Sequence, residues 1–256
     1  VGLVKPHSAP TAPRKFFDLY DVNKIPLPVD FGTTPKALPG APPISISPRN
    51  ADLFIGREST PELSREMKRA YWASTSFMDA QVGRVMEALE KNGLKDNTIV
   101  VFFGDHGYHL GEKGKWSKAY SLYEIGLRVP LVIAVPKQKA QSSTRVVELL
   151  DLYPTLAELC GLPKPEKQSG ASLAKLLKDP KAKFARPAYS VTVYGKSFGR
   201  SIRTEKWHYV EWDDDKSGRM LYATEEDPHE LKNLSEDPKY AKTVEEMKAI
   251  LAKMPK

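Results

Sequence analysis

A single cysteine stands in the 256 residues, so the chain closes no disulfide within itself. Cys160 lies in Leu-Ala-Glu-Leu-Cys-Gly-Leu-Pro at an expected helix end and reads as a small packing residue. No run of about 20 apolar residues occurs, which excludes a membrane-spanning helix. An initiator methionine is missing too. The apolar opening Val1-Gly2-Leu3-Val4 reads as the middle of a longer protein, so the lack of a signal segment carries no weight. Internal repeats are absent. What remains is ordinary for a globular chain, with 41% hydrophobic and 28% charged residues. The net charge of +7 is partly concentrated at 164–186, where seven Lys/Arg face two Asp/Glu. A solvated helix and loop is the plain reading of that stretch, and a surface drawing in polyanionic substrate is the sharper one. Nucleic acid is not expected as a partner, because no aromatic interleaving or nucleic-acid module accompanies the charge.

The most informative stretch is 97–120. Residues 98–103 are apolar, β-branched or aromatic, without Pro or charge, and read as a strand buried on both faces in a largely parallel sheet. Gly104 ends the run, and Asp105-His106-Gly107 follows at once. Ligands bind at the carboxyl ends of strands in open α/β sheets. A carboxylate and an imidazole there, between glycines that allow close backbone approach, suit a metal or an anion. Lys113, Lys115 and Lys118 come next, with Trp116 among them. A structural turn is the competing reading, since Asp and Gly are common in turns.

The pattern GDHGYHLGEKGKWSKAYSLYEIGLRVPLVI resembles the sulfatases, in particular the iduronate-2-sulfatase-like group of the alkaline-phosphatase superfamily. The opening VGLVKPHSAPTAPRKFFDLYDVNKIPLP resembles the same group. So does LYATEEDPHELKNLSEDP near the end, as a last strand leading into an Asp-Pro-x-Glu-x-x-Asn-Leu turn. The resemblance implies that Asp105 and His106 are metal ligands, with calcium the expected ion. It implies that His7 and Lys118 contact the sulfate, as the catalytic pair on this chain. Tyr108 is a weaker candidate for lining the substrate pocket, and His109, Lys113 and Lys115 read as turn and surface residues. The family's nucleophile is a formylglycine made from the cysteine of a Cys-x-Pro-Ser-Arg motif. Cys160-Gly161-Leu162-Pro163-Lys164 does not match it. The expectation is therefore the C-terminal part of a sulfatase. The formylglycine and further metal ligands would lie on an N-terminal portion acting as partner, and this chain alone would be inactive.

Around this stretch the elements read as follows. A Pro-rich irregular arm follows Lys5-Pro6-His7, with a short helix near 14–20. A long helix starts at a Ser59/Glu62 capping box with Pro61 in its first turn, and stops at Lys91-Asn92-Gly93. A second strand spans 129–135, 145–150 is a third apolar stretch, and Asp151 caps a short helix closed by Gly161. Short helix 170–179 precedes four alternating segments at 189–194, 199–204, 207–212 and 219–222, and an amphipathic helix covers 242–253. The fold class is α/β. An alkaline-phosphatase-like layered α/β/α domain over 1–164 is followed by a small antiparallel sheet with a C-terminal helix over 165–256. The expected function is hydrolysis of sulfate esters of a sulfated carbohydrate, in the periplasm or outside the cell, or in a lysosome. A non-catalytic sulfated-glycan-binding module and a phosphoesterase of the same superfamily are the alternatives.

Overall fold

The computed structural model describes residues 1–164 and 166–255. Contacts group them into two compact units. The first comprises residues 1–38, 45–121 and 125–137, and the second 39–44, 122–124 and 138–256.

In the first unit the spine is α2 (Pro61–Lys91), after the short α1 (Arg14–Phe17). Thr60 caps α2 through its side chain, which accepts the Leu63 amide, and Pro61 occupies the first turn where a missing donor costs nothing. The cap is thus Thr60 and not Ser59. The Ser59 hydroxyl instead donates to the carbonyls of Gly32 and Thr33, tying the helix start to the Pro-rich arm. Aromatic contacts fasten the arm along the helix. Phe16 packs on Phe77 and Tyr20 on Trp72, with centroids 5.3 and 5.4 Å apart, and Arg69 donates twice to the Phe17 carbonyl.

The strand expected at 98–103 forms as β1 (Val100–Phe103). After the single helical turn α3 (Glu124–Leu127) comes β2 (Leu131–Ala134). The two pair antiparallel, Val100 opposite Ala134 and Phe103 opposite Leu131. This corrects the expectation of a strand buried on both faces in a parallel setting. The described residues give β1 one neighbour, and Phe103 and Val132 stay 49% and 57% exposed.

In the second unit, 145–150 forms no strand and leads through a 3-10 turn into α4 (Leu152–Leu159). Asp151 does not cap α4. Its carboxylate accepts the amides of Glu148 and Ala171 and pairs with Arg186, so it ties three segments together. After α5 (Ala174–Lys178) the four expected segments form a meander: β3 (Ala188–Tyr194), β4 (Ser197–Arg203), β5 (Trp207–Trp212) and β6 (Arg219–Ala223). The meander packs on α6 (Ala241–Leu251), whose Val244, Met247 and Leu251 share one face by helical spacing. They meet Ile202, Tyr209 and Leu221 from the sheet, each fully buried side chain of this size contributing about 1.5–3 kcal/mol. Among the described residues no helix is long and apolar enough to cross a membrane.

Candidate functional site

The Asp105–His106 turn leaves β1 and is held at both ends. The Gly104 amide donates to the Pro130 carbonyl and the Gly107 amide to that of Gly126, at 3.2 and 3.0 Å. Gly107 is required here, because a Cβ would lie 2.1 Å from the Ile125 carbonyl oxygen. The turn presents both side chains outward, with Asp105 84% and His106 38% exposed. His106 Nδ1 lies 2.8 Å from the Gly107 carbonyl, which can only accept, so Nδ1 is the donor there. Nε2 lies 3.4 Å from Asp105 Oδ2. Two ligands at right angles around an ion at about 2.4 Å sit about 3.4 Å apart, so this pair fits two adjacent positions on one divalent cation.

Lys118 is placed by the buried residue two positions before it. The Trp116 amide donates to Asn50 Oδ1 at 2.7 Å, and its carbonyl accepts the Leu53 amide and the Tyr108 hydroxyl. The ammonium of Lys118 lies 3.1 Å from Nε2 of His7, which comes from the other end of the unit, 111 positions away. His7 Nδ1 donates to the Ser8 carbonyl at 2.8 Å, so Nε2 is the acceptor for Lys118. Lys5 folds back over this turn and donates to the carbonyls of His7 and Ala9.

Four of the predicted residues therefore come together as two pairs, Asp105 with His106 and His7 with Lys118. Ser8, beside His7, lies against Tyr108, which is two positions beyond His106. The Tyr108 hydroxyl is committed internally to Asp52 Oδ2 at 2.9 Å and the Trp116 carbonyl, while its ring stacks on Tyr71. Burial and the Asp52 carboxylate push its phenol far up, so it stays protonated.

His109, Lys113 and Lys115 are not surface residues, contrary to expectation. All three are buried. The arm crosses over the 109–117 loop, with Phe31 bridging Glu112 and Asp30 pairing with Lys113 at 2.9 Å. Gly111 and Gly114 adopt positive φ, and a Cβ on Gly114 would strike the Thr34 carbonyl at 1.9 Å. His109 accepts or donates at Ser121 Oγ, 2.7 Å away. Burial, with Lys115 and Lys113 nearby, drives its pKa down to about 3. Burial alone lowers Lys115 to about 8.

Sequence reasoning missed a second set of donors, in the second unit. Glu124, His208 and Glu230 each bring a ligand atom within 4.8 Å of the others. Most of these donors are already engaged, the buried Nε2 of His208 being the exception. Arg203 reaches Glu124 at 3.3 Å, Glu230 accepts the Glu124 amide at 2.7 Å, and its other oxygen meets His208 Nδ1. Arg203 and His208 are cross-strand partners, so register brings the cluster together. The only sequence signal was Glu230 inside the Asp-Pro-x-Glu-x-x-Asn-Leu turn. That turn is architectural throughout: Asp227 accepts the amides of Leu231 and Lys232, and Asn233 accepts that of Leu221.

Comparison with known proteins gives the family. Residues 1–162 match the family described as "Sulfatase", and residues 111–256 match "N-sulphoglucosamine sulphohydrolase, C-terminal". A sulfatase of Formosa agariphila is 32% identical over 99% of the chain and 49% of its own length. Human iduronate 2-sulfatase is 32% identical over 65% of the chain and 36% of its own length. A solved structure described in complex with its substrate D-glucosamine-2-N,6-O-disulfate superposes with a TM-score of 0.68 at 30% identity. It covers 74% of this chain and 40% of the other. The chain spans about half the length, or less, of the curated relatives it matches.

Proposed function

This chain belongs to the sulfatase family, and we propose that it supplies the sulfate-binding pair and part of the metal site of an enzyme that hydrolyses sulfate esters of a carbohydrate. The fold is the alkaline-phosphatase-like α/β architecture of that family, with the small antiparallel sheet and C-terminal helix following. The observation that carries the proposal is the 3.1 Å approach of Lys118 to His7 across 111 positions. Two cationic-capable groups meeting at an open surface make a receptor for a tetrahedral anion.

In this reading the Lys118 ammonium turns from His7 Nε2 to a non-bridging sulfate oxygen. His7, held by its Nδ1–H bond to the Ser8 carbonyl, then has Nε2 open to take up a proton from solvent and pass it to the departing alcohol oxygen. Asp105 and His106 would hold a divalent ion, calcium being the ion that the family resemblance suggests. When bound, such an ion supplies Lewis acidity toward the sulfate oxygens. Tyr108 braces the Lys118 turn from within and lines the pocket only with its ring. The single cysteine does not fit the formylglycine motif, and no step is assigned to it. The nucleophile belongs to an N-terminal portion outside this sequence, which is the proposed partner. The proposed compartments are the lysosome or, in a bacterium, the periplasm or exterior.

Aryl-sulfate turnover tests this. The chain alone is expected to be inactive, and activity is expected when it is combined with an N-terminal sulfatase portion bearing formylglycine. Lys118→Ala in that combination should lower kcat/KM by about a hundredfold or more. Unchanged turnover in the variant overturns the assignment.

A further inference from the structure

The basic excess at 164–186 acquires a shape in the second unit. Residues 141–145 run beside residues 177–182 in the same direction. Gln141 donates to the Leu177 carbonyl and Ser143 to that of Pro180. Arg145 donates to the carbonyls of Ala182 and Lys181, at 3.1 and 2.9 Å. This pinning uses up the Arg145 guanidinium, which also neutralises Glu205 at 2.7 Å. Lys139 lies two positions before Gln141, whose side chain meets the Leu177 carbonyl of α5. On α5, Lys175 and Lys178 stand three positions apart, close enough to be neighbours on the helix surface, and both are exposed while Ala174 and Leu176 are buried. Lys181 and Lys183 continue the row beyond the helix.

All five lysines are exposed, and among the described residues none makes a hydrogen bond or ion pair through its side chain. The one acid within the row, Asp179, turns its carboxylate to the Lys181 amide. A solvated face on a basic protein normally intersperses both signs. Here the backbone carbonyls and the Arg145 guanidinium are satisfied by each other and by Glu205, and the lysine ammonium groups are left over.

We propose that this row, Lys139–Lys175–Lys178–Lys181–Lys183, is a docking surface for a sulfated polysaccharide chain, separate from the residues that carry out hydrolysis. The identity of the polyanion rests on the reading of the enzyme as a carbohydrate sulfatase. The row itself does not. Lysines are point charges on flexible stems, suited to sulfate groups whose spacing varies along a glycan. Single-stranded nucleic acid would need ring surfaces for its bases. The aromatics nearest the row, Phe184 and Tyr189, are both half-buried, and the Tyr189 hydroxyl is taken by the Pro255 carbonyl. A chain held by counterion release slides along such a row without a fixed register, which keeps a polymer close while successive esters are presented elsewhere.

Binding of a size-defined, heparin-type sulfated oligosaccharide to the full 256-residue chain tests the proposal, by titration calorimetry at two salt concentrations. The wild type should bind, more weakly at the higher salt. Lys178→Gln/Lys181→Gln/Lys183→Gln should weaken binding at least about tenfold and flatten the salt dependence. The residues are exposed, so an unchanged melting temperature checks that the variant folds. His7→Ala/Lys118→Ala should retain most of the binding. Wild-type affinity in the triple variant, or tighter binding of an equally charged single-stranded RNA, overturns the docking surface. Failure of the hydrolytic reading would show up separately, as unchanged aryl-sulfate turnover in Lys118→Ala.

Discussion

Two carboxylate–imidazole pairs in this molecule are built from the same chemistry and put to opposite uses. Asp105 and His106 are neighbours in sequence, project from a strand end, and present Nε2 and a carboxylate oxygen side by side at an exposed surface. Glu230 and His208 are 22 positions apart, lie buried, and are bonded to each other, with Glu230 also accepting the Glu124 amide, while His208 Nε2 is left without a partner. An exposed pair can accept a ligand at little cost. A buried pair bonded to each other would have to break that bond and admit a ligand to an enclosed place first. Residue type alone therefore does not identify a metal site, and the exposure and existing bonds of the donor atoms decide as much. Glu230 also sits at φ 54°, a left-handed conformation costing roughly 1 kcal/mol that the surrounding bonds must offset.

The largest effect that could break this contrast comes from the closed pair. Glu230→Ala leaves His208 and the Glu124 amide without their buried partner, and should cost about 3–5 kcal/mol in urea unfolding. A cost below about 1 kcal/mol would mean the pair does not hold the sheet. An intermediate effect tests the buried loop beside the open pair. His109 is neutral in the folded state down to about pH 3, whereas the unfolded chain protonates it near 6.5. Its contribution is thus fully present above pH 6.5 and lost as pH falls toward 3, by about 1.4 kcal/mol per pH unit. His109→Gln should flatten the fall in melting temperature between pH 6.5 and 4, and an unaltered slope would reject the burial argument. The smallest stability effect belongs to the open pair. Asp105→Ala should shift unfolding by no more than about 0.5 kcal/mol without added ion. The same variant should abolish any melting-temperature rise caused by millimolar calcium, and persistence of that rise would remove Asp105 from the ion site.

Much of this was legible from the residues. Pro61 and the Lys91-Asn92-Gly93 stop bracketed α2, and the alternation at 189–222 gave the meander, because both signals are local. The strand-end Asp105-His106 was legible as a candidate from its place after the apolar run, and family resemblance sharpened it; the link of His7 to Lys118 was legible only through that resemblance, since no local pattern connects positions 7 and 118. What escaped was burial created at long range. His109, Lys113 and Lys115 belong to a polar, glycine-rich loop that reads as surface, and they are covered because Asp30, Phe31 and Thr34 of the arm cross it. Gly111 and Gly114 were the one available hint, as positions where another backbone must approach. Similarly, Asp151 resembles a helix cap in sequence, whereas one of its amide partners lies three residues upstream, the other twenty residues downstream, and its cation partner further still.

The attachment of the arm to α2 decides the order in which the first unit comes apart. His7 reaches Lys118 at the far end of a ribbon fastened by ring contacts and a few side-chain bonds, with no strand ladder of its own. Peeling that ribbon withdraws the imidazole while leaving the Trp116 anchor and the lysine in place. Warming should therefore part the imidazole from the ammonium at a temperature where the helix spectrum is still intact, and under the proposed reading sulfate affinity would be the earliest casualty of heat.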